Sequence, residues 1–477
     1  MTLPGPMSPA YRLVTIALVL QTTMIAFEAM AVTTAMPSAA QELGSVGSYG
    51  LAFSFMMTAM LLGIVLAGIW TDRSGPLPGL YAGLVLFAAG AVLCAIAPTW
   101  LSLLAGRVVA GLGAGLVIVA EFVAIGRVYP AELRPRVFTW ISAAWVVPSV
   151  VGAPVAGWIT STWSWRGVFW IVLAPAALAA TLLVLRQDAI GGSGPEASAD
   201  SPGSDRADHL RVARLGAVVA LSAGAVQLAI HEGQTRGSFD ATVGGVAALG
   251  LVALGWSVPR LLPPGTLRAR RGLPAVIASR GLFNASFMSM VTFLPLMLVQ
   301  VWELSLTAAG MVVAAASLGW SAGSWIQGRT EGDVNTRVRL VANGAAVLTC
   351  ATIAIALATA THSPVWAFVI AVAAAGLAMG TGSTTLSVLV LDLSRPSDHG
   401  RASAALQLSD VLGSVLGIGA ATAIFGALLA RGGTFAYVVI EVLLAAIAAV
   451  AVGAGRRCRP ADETDALGDP SENLSVR

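Results

Sequence analysis

Fourteen apolar stretches of helix length follow one another along the chain, at about residues 12–36, 50–70, 77–97, 101–126, 137–160, 166–186, 211–230 and 239–258, then 274–300, 305–327, 338–360, 364–391, 402–428 and 433–455. Each approaches or exceeds the ~20 apolar residues with which an α-helix crosses a hydrocarbon core. Lipid offers no water to unpaired backbone groups, so each must be a helix or a strand of a closed barrel, and runs this long and continuous are not barrel strands. The chain therefore reads as an all-α integral membrane protein of 14 transmembrane helices. Only 11% of the residues are charged, against about 25% in soluble domains, which excludes a soluble multidomain enzyme. The first stretch is too long for the core of a signal peptide and reads as the first span.

All 27 basic residues are arginine, and with the amino terminus inside, 22 of them fall on cytoplasmic loops or tails, leaving Arg166, Arg236 and Arg431 outside and Arg107 and Arg280 within spans. Because positively charged loops stay cytoplasmic, both termini are expected inside a multi-pass cell-membrane protein. A net charge of +3 with no basic stripe argues against a nucleic-acid partner. Cys94, Cys350 and Cys458 are too few and too dispersed for a disulfide framework or a zinc site, so no metal or cofactor is expected. Trp100, Trp158, Trp163, Trp165, Trp302 and Trp366 lie at expected outer ends and read as interfacial anchors.

The organisation expected is an N-terminal six-helix half (1–186), a flexible cytoplasmic linker rich in Gly, Ser, Pro and acidic residues (187–210), two extra helices with a cytoplasmic loop (211–273), a C-terminal six-helix half (274–455) and a disordered tail (456–477). An internal repeat at an offset of 265 supports the two halves: Ala110-Gly111-Leu112 and Gly115 recur as Ala375-Gly376-Leu377 and Gly380. Arg136, Ser149-Val150 and Gly152 recur as Arg401, Ser414-Val415 and Gly417. Repeats of this kind build many secondary transporters, whose site lies near the midplane between the halves.

Ionisable groups inside a membrane are costly and usually face the bundle interior. Glu28, Glu121, Asp410 and Glu441 are the acids within spans. Glu28 lies about 12 Å from the outer end of its span and Arg107 about 9 Å, at 1.5 Å per residue, so their depths match and an ion pair or shared network is expected. A carboxyl caught between desolvation and a cation can exchange protons as a cavity opens and closes; the alternative is a salt bridge that fixes packing. Asp410, near mid-membrane and nine residues from Arg401, reads as a second proton or cation site or as an interhelical hydrogen bond. Glu121 reads as snorkelling or pairing with Arg127; Glu441 has no assigned role. Gln21, Asn284, Gln300 and Gln407 are candidate substrate-facing polar groups, with helix-helix contact as the alternative. Asp72 and Arg73 could latch onto charges around Glu132, Arg134 and Arg136, and Pro148 and Pro154 can bend the fifth helix.

These residues resemble the major facilitator superfamily and, within it, the fourteen-helix drug:proton antiporters. FEAMAVTTAMP at 27–37 follows that group's first-helix pattern, with Glu28 for the usual Asp. GIWTDRSGP places Gly68, Asp72, Arg73 and Gly75 on the cytoplasmic-loop motif, and RVVAGLGAG places Arg107 on the motif linked to proton transfer. Gly152, Gly157 and Trp158, followed by Trp165, Arg166 and Phe169, resemble the antiporter motif and its trailing loop, with the motif's Pro one residue late at Pro154 and Ala156 in place of a Gly. The resemblance implies two six-helix halves plus two linker helices. It also implies alternating access, with Glu28 and Arg107 coupling protons and with Asp72, Arg73, Gly152, Pro154 and Gly157 gating; Asp410, as a second proton-coupling site, and Arg136, as a gating partner, are added from their positions. The expected activity is proton-driven efflux of small amphipathic or hydrophobic, including cationic, compounds, hence resistance to antibiotics. Protons, a small-molecule substrate and membrane lipid are the expected partners, and a monomer is expected. Proton symport of a nutrient, lipid export and a non-transporting sensor subunit are the alternatives.

Overall fold

The computed structural model describes residues 5–130, 132–187, 190, 204–236, 240–330, 333–395, 399–429 and 433–459. The helices are α1 (Arg12–Glu42), α2 (Leu51–Ser74), α3 (Pro76–Ala95), α4 (Trp100–Val128), α5 (Arg134–Thr162), α6 (Arg166–Ile171), α7 (Leu173–Leu185) and α8 (Ser204–Arg236). They continue as α9 (Ala241–Leu261), α10 (Leu273–Val301), α11 (Leu306–Arg329), α12 (Val334–Ala360), α13 (Val365–Asp392), α14 (His399–Leu428) and α15 (Gly433–Arg456). Among the described residues, 13 stretches are long and apolar enough to cross a membrane, α6 and α7 together forming one. The 29-residue α5 runs between α1 and α11 as a further span. The chain is a multi-pass membrane protein. The connections after α1, α3 and α5 lie at one end of the bundle; the other end, which gathers most of the arginines, is termed here the Arg-rich face.

The boundaries differ from the sequence reading in two places. The first apolar stretch ends at about 36, yet α1 runs on to Glu42 with Pro37 inside it, because packed neighbours tolerate the missing donor within a membrane helix. The stretch 187–210 reads as linker, yet the backbone is helical from Ser204; a helix entering the interface need not be apolar in its first turns. The tail beyond 459 is outside the described residues.

The repeat in the sequence is a repeat in packing. A Cβ built on Gly111 or Gly115 of α4 would fall 2.2 and 2.3 Å from the carbonyls of Met56 and Met60 on α2. On Gly376 or Gly380 of α13 it would fall 1.9 and 2.1 Å from those of Ala316 and Trp320 on α11. Each glycine pair lets two helices approach to backbone contact, where dispersion rather than hydrophobicity holds helices in lipid. The α1–α5 packing of the first half likewise matches α10–α14 in the second, and α1–α7 matches α10–α15. Two six-helix halves result, with the α8–α9 hairpin as the extra pair; α8 lies against α2 and α14, one helix from each half.

Of the six expected tryptophan anchors, Trp158, Trp163 and Trp366 are exposed, whereas Trp100 and Trp165 are buried. The Trp165 indole N–H donates to Glu42 Oε2 at 2.7 Å, and Arg166 bridges Glu42 Oε1 (2.6 Å) and the Ala97 carbonyl (3.0 Å). These two residues clasp α1, α3 and α6 instead of meeting headgroups.

Candidate functional site

α1 packs mainly on α5 and α7 and only lightly on α4, and polar side chains bridge α1 and α4. Arg107 on α4 pairs through Nη1 with Glu28 Oε1 on α1, and its Nε donates to the Ala52 carbonyl of α2 at 2.9 Å. Both charged side chains are 2% exposed. One carboxylate oxygen is thereby taken, while Glu28 Oε2 is buried with no hydrogen-bond donor among the described residues. A buried acceptor without a donor is costly. Phe27 and Met30, on either side of Glu28, lie against Gly152 of α5, where a Cβ would sit in ordinary contact at 3.4–3.6 Å.

The second bridge between these helices is Thr22, whose hydroxyl donates to Glu121 Oε1 at 2.7 Å. Glu121 is buried. It therefore neither snorkels nor meets Arg127, whose guanidinium lies over Gly75, with Nη1 2.9 Å from where a Cβ would be.

Asp410 on α14 is gripped by Arg280 of α10 through Nε–Oδ1 (2.7 Å) and Nη2–Oδ2 (3.0 Å). Arg280 Nη1 also reaches the Ser383 carbonyl of α13 at 2.8 Å. Both oxygens of Asp410 are occupied, and the pair keeps 11% and 20% side-chain exposure, unlike the sealed Glu28–Arg107 pair. Arg280 and Ser383 were missed as site residues. Arg280 carries the signal that links Glu28 to Arg107, a charge inside an apolar span at a depth comparable to that of an opposite charge. Arg401, the nearer arginine in sequence, has its side chain outside the described ones.

Other candidates are more dispersed. Gln21 and Asn284 are buried, each with its amide oxygen unpartnered among the described residues. Gln300 instead accepts from the Tyr437 hydroxyl at 2.8 Å, joining α10 to α15, and Gln407 is exposed. Glu441 is buried on α15, with Oε2 lacking a donor among the described residues. The side chains of Asp72 and Arg73, at the end of α2, lie outside the described ones. Arg136 is exposed, and Arg134 caps the end of α4 by donating to the carbonyls of Gly126 (2.7 Å) and Tyr129 (3.0 Å). No group of three or more His, Cys, Asp or Glu able to hold a metal occurs among the described residues.

The halves meet in a tight seam at the end of the bundle opposite the Arg-rich face. The Tyr49 hydroxyl, from the α1–α2 connection, donates to the Thr292 carbonyl of α10 at 2.9 Å. Rings continue across the seam from Phe53 through Tyr49, Phe293 and Phe425 to Tyr437, with centroids 5.1–5.7 Å apart. A Cβ on Gly157 of α5 would fall 2.6 Å from Thr307 Cα, and one on Gly310 of α11 would fall 2.6 Å from the Ala153 carbonyl, beside Pro154. Gly157 and Pro154 thus lie where the first half touches the second.

The family model of the Major Facilitator Superfamily matches residues 18–418. An uncharacterized MFS-type transporter of Mycobacterium tuberculosis is 28% identical over 321 residues, 64% of this chain and 44% of that protein. Multidrug resistance protein 3 of Bacillus subtilis is 29% identical over 173 residues, 36% of this chain and 34% of that one. The match thus spans less than half the length of either relative. Among solved structures, the POT family transporter PepTSo superposes with a TM-score of 0.68 at 13% identity, covering 95% of this chain and 99% of that one, a likeness of fold.

Proposed function

This chain belongs to the Major Facilitator Superfamily, whose members are transporters, and we propose that it exports small amphipathic or hydrophobic compounds, cations included, in exchange for protons. The observation that carries this reading is Glu28: a carboxylate sealed in the bundle, one oxygen on Arg107 and the other without a donor among the described residues. Protonation of that oxygen weakens the hold of Glu28 on Arg107, and Arg107 is bonded to both α1 and α2, so the proton's arrival changes the contacts of two helices. Orientation follows from the arginines: the Arg-rich face is cytoplasmic, both termini are inside, and the closed seam is the outer gate. In the cycle, opening of that gate exposes Glu28 to the acidic outside. Proton uptake accompanies substrate release, and closure returns the proton inward. Carboxylates at Glu28 and Asp410 favour cationic cargo. The names of relatives such as the Bacillus multidrug resistance protein support the drug class.

The test uses purified protein in liposomes with an imposed proton gradient and ethidium as cargo. Gradient-driven ethidium movement with opposite proton flow is expected, and Glu28→Gln is expected to abolish the gradient dependence while leaving passive exchange. Gradient-driven transport unchanged in Glu28→Gln removes Glu28 from the mechanism, and proton flow in the same direction as cargo replaces antiport by symport.

A further inference from the structure

α9 packs along α8 rather than along the C-terminal half, and this leaves a slot of about 640 Å³ between α9, α10, α14 and α15. Its walls are apolar along their depth, with Val258 from α9, Leu416 from α14 and Ile447 and Val450 from α15. Leu416 and Val450 are 44% and 61% exposed, an apolar surface facing the gap. Its mouth, at the Arg-rich face, is of opposite character, bordered by Thr266, Arg268 and Arg457. Arg457 stitches this end together: its Nη1 donates to the Arg268 carbonyl at 3.2 Å, and its own carbonyl accepts from the Gly272 N–H at 3.0 Å.

The sequence on either side of the mouth is basic. No acidic residue occurs between Asp240 and Glu303, or between Glu441 and Asp462, while Arg260, Arg268, Arg270, Arg456 and Arg457 all do. Among the described residues neither Arg268 nor Arg457 is paired with a carboxylate. From Arg457 to Ile447 along α15 is about 15 Å at 1.5 Å per residue, half of a hydrocarbon core about 30 Å thick. A slot one leaflet deep with a cationic mouth at the headgroup level matches one kind of amphiphile. Basic pockets between membrane helices on the cytoplasmic side hold anionic headgroups in the same way.

We propose that this slot holds an anionic phospholipid of the leaflet at the Arg-rich face, its acyl chain between α9 and the α14–α15 wall and its phosphate at Arg268 and Arg457. The lipid then fills the gap between the extra helix pair and the C-terminal half.

The full chain in detergent, supplied with phosphatidylglycerol or phosphatidylcholine, tests this by lipid retention in native mass spectrometry and by thermal unfolding. Retention of phosphatidylglycerol at least fivefold over phosphatidylcholine, with a midpoint raised by several degrees, is expected. The Arg268→Gln/Arg457→Gln variant should retain the two lipids equally. Because Arg457 also ties the loop to α15, Gly453→Leu supplies a second arm. A Cβ there meets nothing within 4 Å, so the side chain enters the slot without repacking the helices, and it should abolish phosphatidylglycerol retention with both arginines intact. Preference unchanged in either variant overturns the proposal, as does equal stabilisation by glycerol phosphate, which marks a site for the free phosphate alone.

Discussion

Arg280 holds Asp410 with two parallel N–H···O bonds across the α10–α14 contact, and its third nitrogen is spent on Ser383 of α13. One guanidinium therefore ties three helices of the C-terminal half. Removing one partner of a buried pair costs roughly 3–5 kcal/mol, and solvent contact at 11% and 20% exposure reduces that toward the lower figure. Arg280→Gln should lower the midpoint of thermal unfolding by several degrees, and adding Asp410→Asn should restore part of it, since two neutral groups can bond to each other. Transport should stay impaired in the double variant if Asp410 serves cargo or protons; full recovery assigns the pair to structure alone.

Thr22 supplies the hydrogen bond that Glu121 receives inside the bundle. Thr22→Val keeps the shape and removes the donor, at a cost of about 1–3 kcal/mol for a buried group left unpaired. Thermal unfolding should register the loss. Thr22→Ser should recover most of it, and a Thr22→Val protein as stable as the parent contradicts the assignment.

Closure of the seam depends on two contacts that can be altered separately. Tyr49→Phe removes the bond to the Thr292 carbonyl, about 1 kcal/mol, and so reduces the closed population relative to the open one about fivefold. Gly310→Leu has no space, because the first added carbon meets the Ala153 carbonyl at 2.6 Å. Distances between spin labels on the two sides of the seam should lengthen modestly in the first variant and strongly in the second.

Asp333 caps α12, accepting from the Thr336 N–H (2.9 Å) and hydroxyl (2.8 Å). The backbone bond from Thr336, more than its hydroxyl, holds the carboxyl below its ordinary value. A group whose folded pKa is depressed contributes fully above its unfolded pKa and loses that contribution as pH falls through the folded value. Hydrogen exchange at residues 334–337, corrected for intrinsic rates, should therefore accelerate on acidification below the usual carboxylate range. In Asp333→Ala it should be fast and indifferent to pH across that window.

The limits of sequence reasoning show at individual charges. Arg401 is nine residues from Asp410, but nine residues of α-helix turn through about 900°, which leaves the two on opposite sides of the helix. Glu121 and Arg127, six apart, are likewise separated by about 240°. Nearness along a helix therefore named the wrong partner for Glu121, and the partners that Asp410 and Glu121 do have, Arg280 and Thr22, lie 130 and 99 residues away. Depth matching between different helices served better, since it paired Glu28 with Arg107 across 79 residues.

The amino-acid sequence by itself determined that the chain is a membrane-spanning helical bundle of two related halves. Lipid permits few backbone solutions to fourteen apolar stretches, and repeated small residues mark where helices touch. It also named the charges too costly to be accidental. Only the tertiary structure decided which of them meet, which oxygen of Glu28 lacks a donor among the described residues, and which end of the bundle is shut. Those depend on helix rotation and crossing, set by packing among many residues rather than by any one stretch of chain.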